Sequence, residues 1–278
     1  MKTTREYVCA GQPLETPFID VHGHFGPWPD TFIPHTVDQG RIIAEMDRYG
    51  CDMVWMSASN PGYAGDLAAK NDCVFDFAAA YPERIIPYCT LSSHDPQNNV
   101  KELKRCLARG PCIGVKMHRY SQPSYTMRSD FMQAILEILA EHRLVYLNHV
   151  FENVIDLEWA CDKYADVVFI AGHFNPGIND LALSHPNLRD CTCAAMHPDA
   201  IGAEVQRLKR SDTMLVGSDF SQVHLGFGLG MIAYGNMAED DKRNILGNNA
   251  LRLLERIPWS DTSGVLAGMR EDLGIDRK

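Results

Sequence analysis

The sequence predicts an α/β chain folded as a single, somewhat distorted (β/α)8 barrel of the TIM type, and three observations carry that expectation. Eight short apolar, β-branched runs recur along the 278 residues, their starts 21–34 residues apart. Segments with helical spacing of apolar residues stand between them, as expected for strands buried on both faces in a parallel sheet. No Ser/Gly linker, low-complexity tract or charge block divides the chain, so one barrel accommodates all eight units. The open doubly wound sheet is the competing fold, but no Gly-rich phosphate loop follows the first strand.

The expected strands are 18–24 (FIDVHGH), 52–59, 84–92, 112–119, 144–150, 167–174, 188–196 and 213–220. Between them, 37–49 places Ile42, Ile43 and Met46 on one face and stops at Gly50. Residues 130–142 repeat the 3.6-residue period with Phe131, Ile135, Leu136 and Leu139, and 153–164 and 199–210 follow it. The stretch 239–256 closes the domain with Ile245, Leu246, Ala250, Leu253 and Leu254. The core is expected over 18–256 of a single domain 1–278, with 1–17 and 257–278 as peripheral extensions.

A net charge of -10 argues against nucleic-acid and anionic-membrane partners. No run approaches the ~18 apolar residues of a membrane span, and Met1–Tyr7 carry no apolar signal segment. The expectation is a cytoplasmic protein acting on a small molecule, with homo-oligomerisation left open. The nine cysteines are odd in number and scattered, which favours buried, reduced thiols over disulfides. Cys191-Thr192-Cys193 is not a CxxC spacing. Its two thiols share a strand face, so a soft-metal role stays open.

Function is legible in where the ionisable side chains fall. In a barrel of this kind, chemistry collects at the C-terminal ends of the strands. The first expected strand ends in His22 and His24, the fourth in Lys116 and His118, the fifth in His149, the sixth in His173 and the eighth in Asp219. Residues i and i+2 of a strand share a face, so the two imidazoles of His22 and His24 should project together. Asp20, one layer below, is expected to hold a ring N–H and fix its tautomer. Neutral imidazoles beside a carboxylate suit a divalent cation. His149 reads as a ligand and His173 as a ligand or acid/base, each with a core histidine as the alternative, while Asp219 reads as a turn cap or as a carboxylate that can bind metal and take a proton from metal-bound water. Lys116 has three readings: a grip on a substrate carboxylate, a carbamate bridging two metals, or a salt-bridged lysine. His118 and Arg119 are expected to line the pocket.

This pattern resembles the amidohydrolase superfamily, specifically its amidohydrolase 2 branch of barrel hydrolases and decarboxylases. The matching pieces are Asp20-Val-His22-Gly-His24, Gly114-Val-Lys116-Met-His118, Asn148-His149, Gly172-His173, Gly217-Ser218-Asp219 and the closing Asn244–Leu254 helix, together spanning 18–256. The resemblance implies a catalytic divalent metal, usually zinc, on His22, His24, His149 and Asp219. His173 would be a fifth ligand or an acid/base, and Asp219 the proton shuttle. One ion is implied, or two if Lys116 is carbamylated. Many relatives have a proline after the eighth-strand Asp, where this chain has Phe220, so the mouth of the site is shaped differently.

The expected activity is metal-dependent hydrolysis of a small-molecule amide, lactone or ester. The alternatives are non-oxidative decarboxylation of a small acid and a non-catalytic metal-binding barrel. Pocket walls are expected from Trp28 and Phe32 in the proline-stiffened loop after the first strand, and from 60–63 and 120–125. Gly226, Gly228 and Gly230 read as a flexible loop or a close helix approach rather than a nucleotide site.

Overall fold

The computed structural model describes residues 2–26, 38–59, 66–118, 123–151 and 153–257. Eight strands form one sheet in chain order: β1 (Ile19–Phe25), β2 (Met53–Ala58), β3 (Ile85–Thr90), β4 (Gly114–Met117), β5 (Val145–Asn148), β6 (Val168–Ala171), β7 (Leu188–Cys191) and β8 (Met214–Leu215). Every neighbouring pair is parallel. The end of β8 returns to β1: the Val21 N–H donates to the Val216 carbonyl at 3.0 Å, and the His24 N–H to the Phe220 carbonyl. These contacts bring the sheet round into a (β/α)8 barrel, and all eight expected strands lie within it.

The helices are α1 (Thr4–Cys9), α2 (Gln39–Tyr49), α3 (Leu67–Ala80), α4 (Asn99–Arg109), α5 (Asp130–Glu141), α6 (Val154–Lys163), α7 (Pro176–Ala182), α8 (Pro198–Leu208), α9 (Leu225–Ala233), α10 (Glu239–Arg243) and α11 (Asn249–Leu254). A π-helical turn, Asn244–Asn248, joins α10 to α11, so the expected closing helix is interrupted at its middle. Local chemistry sets the ends. The Asp38 carboxylate caps α2 by accepting from the Arg41 N–H at 3.0 Å, and Gly50 terminates it with φ 64°. Helices α3 and α7 carry no clean apolar stripe in the sequence. Helix α9 holds the three interleaved glycines; a Cβ on Gly228 would stand 2.8 Å from the Ser218 Cβ, so the missing side chain lets α9 lie against the end of β8.

Large side chains such as Trp55, Tyr88, Tyr146 and Phe169 are fully buried, each contributing about 1.5–3 kcal/mol of apolar burial. Two buried asparagines then fix the layers against each other. On α3, Asn71 donates to the Thr90 carbonyl (3.0 Å) and to Glu102 Oε1 (2.7 Å), and accepts from the Thr90 N–H (2.8 Å), tying β3 to α4. On α11, Asn249 donates to the carbonyls of Ser211 and Met214, both at 2.8 Å, and so anchors β8. The N-terminal extension is docked rather than loose: the Thr4 N–H and hydroxyl both donate to Glu239 Oε2 at 2.7 Å. Among the described residues, no helix is long and apolar enough to cross a membrane. Trp28, Phe32, residues 60–63, Arg119 and Tyr120 lie outside the described residues.

Candidate active site

Strand β1 does not run straight into its histidines. Its register against β2 slips between Asp20 and Gly23, and such an irregularity re-aims the side chains around it. Both imidazoles still converge: His22 Nε2 lies 3.1 Å and His24 Nε2 3.3 Å from the same atom, Oδ1 of Asp219. Behind each ring, the other nitrogen is held. The His22 Nδ1–H donates to the Gly172 carbonyl at 3.0 Å. The His24 Nδ1–H donates to Ser57 Oγ at 2.9 Å, and Ser57 passes its own proton to the Gly23 carbonyl at 3.1 Å. These partners fix the tautomer and leave both Nε2 lone pairs facing the carboxylate.

Close packing makes room for His22. A Cβ on Gly217 would fall 2.8 Å from the His22 Cβ and 2.3 Å from Cys191 Sγ, and one on Gly172 would fall 3.1 Å from His22 Cε1. A methyl group at Gly217 must displace Cys191 or His22, and one at Gly172 first meets the Asn148 carbonyl at 2.8 Å.

The expectation for Asp20 is corrected. Its carboxylate holds no ring N–H; Oδ1 accepts from the backbone N–H groups of His22 (2.9 Å) and Ser218 (3.3 Å), and Oδ2 accepts from the Ser218 hydroxyl. The slip in β1 turns Asp20 toward the seam with β8, where it clamps the two strand ends that carry the site. Complete burial pushes its carboxyl up to about 7, against the hydrogen bonds from Ser218 and His22.

Asp219 itself has φ 61°, a left-handed conformation that Asp tolerates better than most residues. Burial opposes its charge, but the imidazoles of His22, His173 and His24 hold its carboxyl well below the usual range. Burial drives His22 well below and His24 below the ordinary imidazole value. The centre is therefore neutral imidazoles around an ionised carboxylate. His173 Nε2 stands on the other side, 3.6 Å from Asp219 Oδ2.

Lys116 is fully buried, its Nζ 2.5 Å from His22 Nε2. Burial pulls its ammonium down to about 8, against the attraction of Asp219. His118 and His149 stack with ring centroids 3.8 Å apart at 30°, and His149 meets His173 edge-on at 3.9 Å. Burial pushes His118 down to about 3, with Lys116 adding to it, and His149 to about 2, with His118 adding to it.

Among the described residues, the atoms that could hold an ion are those of His22, His24 and Asp219, mutually within 4.8 Å, and those of a second group, His173, Cys193 and Asp219, equally close together. The Nε2 atoms of His22 and His24 and Oδ1 of Asp219 are grouped as the ligands of a single cation are. Ligands about 2.0–2.3 Å from a tetrahedral ion stand about 3.3–3.7 Å apart, close to the separations seen here. The donor set fits a divalent metal. His149 lies beside this convergence rather than in either group, stacked on His118 and edge-on to His173.

Ser57 and Ser218 join the site without an assigned role in the sequence, and Cys193 joins it from the pair for which a soft-metal role is left open. Ser218 stands inside the Gly217-Ser218-Asp219 run, and Cys193 was visible as half of the CTC pair. Nothing marked Ser57, which reaches His24 across the β1–β2 pairing. Tyr125, expected as wall, instead bonds Tyr146 through their hydroxyls at 2.9 Å and lines a 140 Å³ cavity beside β5 with Asn148 and Asp156.

No curated protein matches the sequence. Among solved structures, the fold is similar to 5-carboxyvanillate decarboxylase from Sphingomonas paucimobilis, at 16% identity and TM-score 0.65, covering 86% of this chain and 98% of that one. It is similar also to 2,6-dihydroxybenzoate decarboxylase from Rhizobium, at 13% identity and TM-score 0.66, covering 86% and 98%. A third is dihydroxybenzoic acid decarboxylase from Polaromonas sp. JS666, solved with bound manganese and the inhibitor 2-nitroresorcinol, at 15% identity and TM-score 0.66, covering 86% and 96%. At these identities the likeness is one of fold. The amidohydrolase family model matches residues 19–256, the span from the first strand of the barrel to the end of its closing helix, and the chain belongs to the amidohydrolase family.

Proposed function

We propose that this enzyme is a metal-dependent hydrolase acting with metal-activated water on an amide, lactone or ester bond of a small molecule. The observation that carries the reading is Asp219: an ionised carboxylate with one oxygen within 3.3 Å of both His22 and His24 and the other facing His173. A base standing against the ligand nitrogens is what water activation needs.

His22, His24 and Asp219 would hold the ion, zinc being favoured by the nitrogen-rich donors; His149, a ligand by family resemblance, stands beside them against His118. When bound, such an ion supplies Lewis acidity, lowering the pKa of a coordinated water and polarising a carbonyl. Asp219 accepts the proton of the attacking water at its carboxylate and returns it to the leaving group. His173 faces the carboxylate from the opposite side. Lys116 orients an anionic substrate group, and the stacked rings of His118 and His149 form the wall against which a substrate lies.

The second reading is non-oxidative decarboxylation. It is favoured by the same wall, a buried lysine beside three imidazoles, which suits a flat carboxylic acid. Solved structures of similar fold include decarboxylases of aromatic acids. Zinc- or manganese-loaded protein, offered lactones, esters and amides beside aromatic acids, separates the readings. Hydrolysis products without carbon dioxide are expected. Carbon dioxide without hydrolysis overturns the first reading, and bound metal with no turnover of any class favours a non-catalytic barrel.

A further inference from the structure

Two overlapping ligand groups meet at Asp219, and only one of them belongs to the histidine pair of β1. The other joins His173, after β6, to Cys193, just beyond β7. Its parts are built in rather than incidental. Cys193 is 3% exposed, and its carbonyl accepts from the Phe174 N–H at 2.9 Å, linking the segment to the residue after His173. Ala194 follows with φ 59°, turning the chain sharply away so that the thiol stays at the mouth. His173 Nε2 is buried without a hydrogen-bond partner, and its 3.6 Å separation from Asp219 Oδ2 is too long for a hydrogen bond. It is a normal spacing for two ligands of one ion. An orphaned imidazole nitrogen, a carboxylate oxygen and a thiol then face a common point.

We propose that Cys193 is a metal ligand, forming with His173 and the shared Asp219 carboxylate a second cation position beside the one at His22 and His24. The Asp219 carboxylate bridges the two, Oδ1 toward the histidine pair and Oδ2 toward His173. Because a thiolate is soft, the second position selects zinc, cadmium or cobalt over manganese or magnesium. Ligation breaks the Cys193 S–H bond and forms a sulfur–metal bond, the proton passing to the buffer. The nine cysteines are thiols rather than disulfides, and among the described residues Cys193 is the one that belongs to a candidate ligand group. Cys191 is its internal control: its Sγ lies 4.0 Å from His22 Nδ1, the nitrogen already engaged with Gly172.

The inference rests on the reading of His22, His24 and Asp219 as a metal site, and the test separates the two. The full chain, stripped with a chelator, is titrated with Co²⁺ for its absorption spectrum and with Cd²⁺ for stoichiometry by equilibrium dialysis. The expected result is two ions per chain with a sulfur-to-metal charge-transfer band. Cys193→Ser should lose the band and one ion while keeping the other, and Cys191→Ser should keep both. Circular dichroism and thermal midpoint establish that each variant is folded. Two ions without a sulfur band, a band that survives in folded Cys193→Ser, or one ion only in the parent chain overturns the proposal. No bound ion at all overturns the underlying metal reading. Should Cys193→Ser fail to fold, Cys193→Ala and His173→Asn are read by the same two measurements.

Discussion

The ends of β1 and β8 and the ends of β4 and β5 carry the same kinds of residue, yet they are built in opposite ways. At the first seam, each imidazole has its Nδ1–H committed to a fixed oxygen, at 3.0 Å for His22 and 2.9 Å for His24, and its Nε2 aimed at Asp219. At the second, His118 and His149 turn their faces to one another, centroids 3.8 Å apart. Converging lone pairs make a cage for a cation, whereas stacked neutral rings make a wall. A histidine at the end of a barrel strand is therefore not yet a ligand; what holds its other nitrogen decides what the ring can offer.

The most damaging test of this contrast removes one ring from each seam. His22→Asn is expected to lose the ion of the β1 histidine pair and all turnover, while His149→Asn keeps that ion and changes substrate affinity. Metal content of the two purified variants checks it. Loss of the ion from both would place His149 among the ligands, as family resemblance implies, and dissolve the contrast.

Next in size, Asp219→Asn at saturating metal should lower kcat by about 10²–10⁴-fold, the range for loss of a positioned acid/base. A rate within a few-fold of the parent would remove Asp219 from the proton path.

Gly217→Ala probes how tightly the first seam is packed. Its methyl group meets Cys191 Sγ and the His22 Cβ, and such overpacking costs about 1–3 kcal/mol. Urea denaturation should record that loss together with weakened metal affinity; unchanged stability would mean that the seam yields.

The smallest effect is expected at Asp190 on β7, away from both seams. Its Oδ2 accepts from the Asn175 N–H (3.0 Å) and Asn179 Nδ2 (2.8 Å), and its Oδ1 is buried without a partner. Burial raises this carboxyl well above its ordinary 3.8. The folded state thus keeps a proton that the unfolded chain releases, so this group's contribution to stability falls as pH rises from the unfolded value toward the folded one. Asp190→Asn retains both acceptor bonds and should flatten the fall that denaturation records as pH rises above about 4. An unaltered slope would assign the pH dependence elsewhere.

Much of the barrel could be read from the chain. Each of the eight apolar runs became a strand, because strands covered on both sides must be apolar nearly throughout. Gly50 ended α2 where the sequence marked it, since a left-handed cap favours glycine at that point. The elements left unnamed, such as α3 and α7, are those whose amphipathic pattern is short or blurred by small residues.

Within the site, the sequence by itself determined which side chains stand at the C-terminal ends of the strands, because strand periodicity and polarity are local properties. It did not determine their partners. The slip in β1 sent Asp20 to Ser218 instead of beneath a ring, Ser57 reached His24 from the neighbouring strand, and Cys193 arrived beside His173 from two separate loops. Hydrogen bonds and ligand distances vary steeply over fractions of an ångström, and those fractions are set by register and barrel closure. The tertiary structure alone decided which of the histidines converge on Asp219 and which face each other.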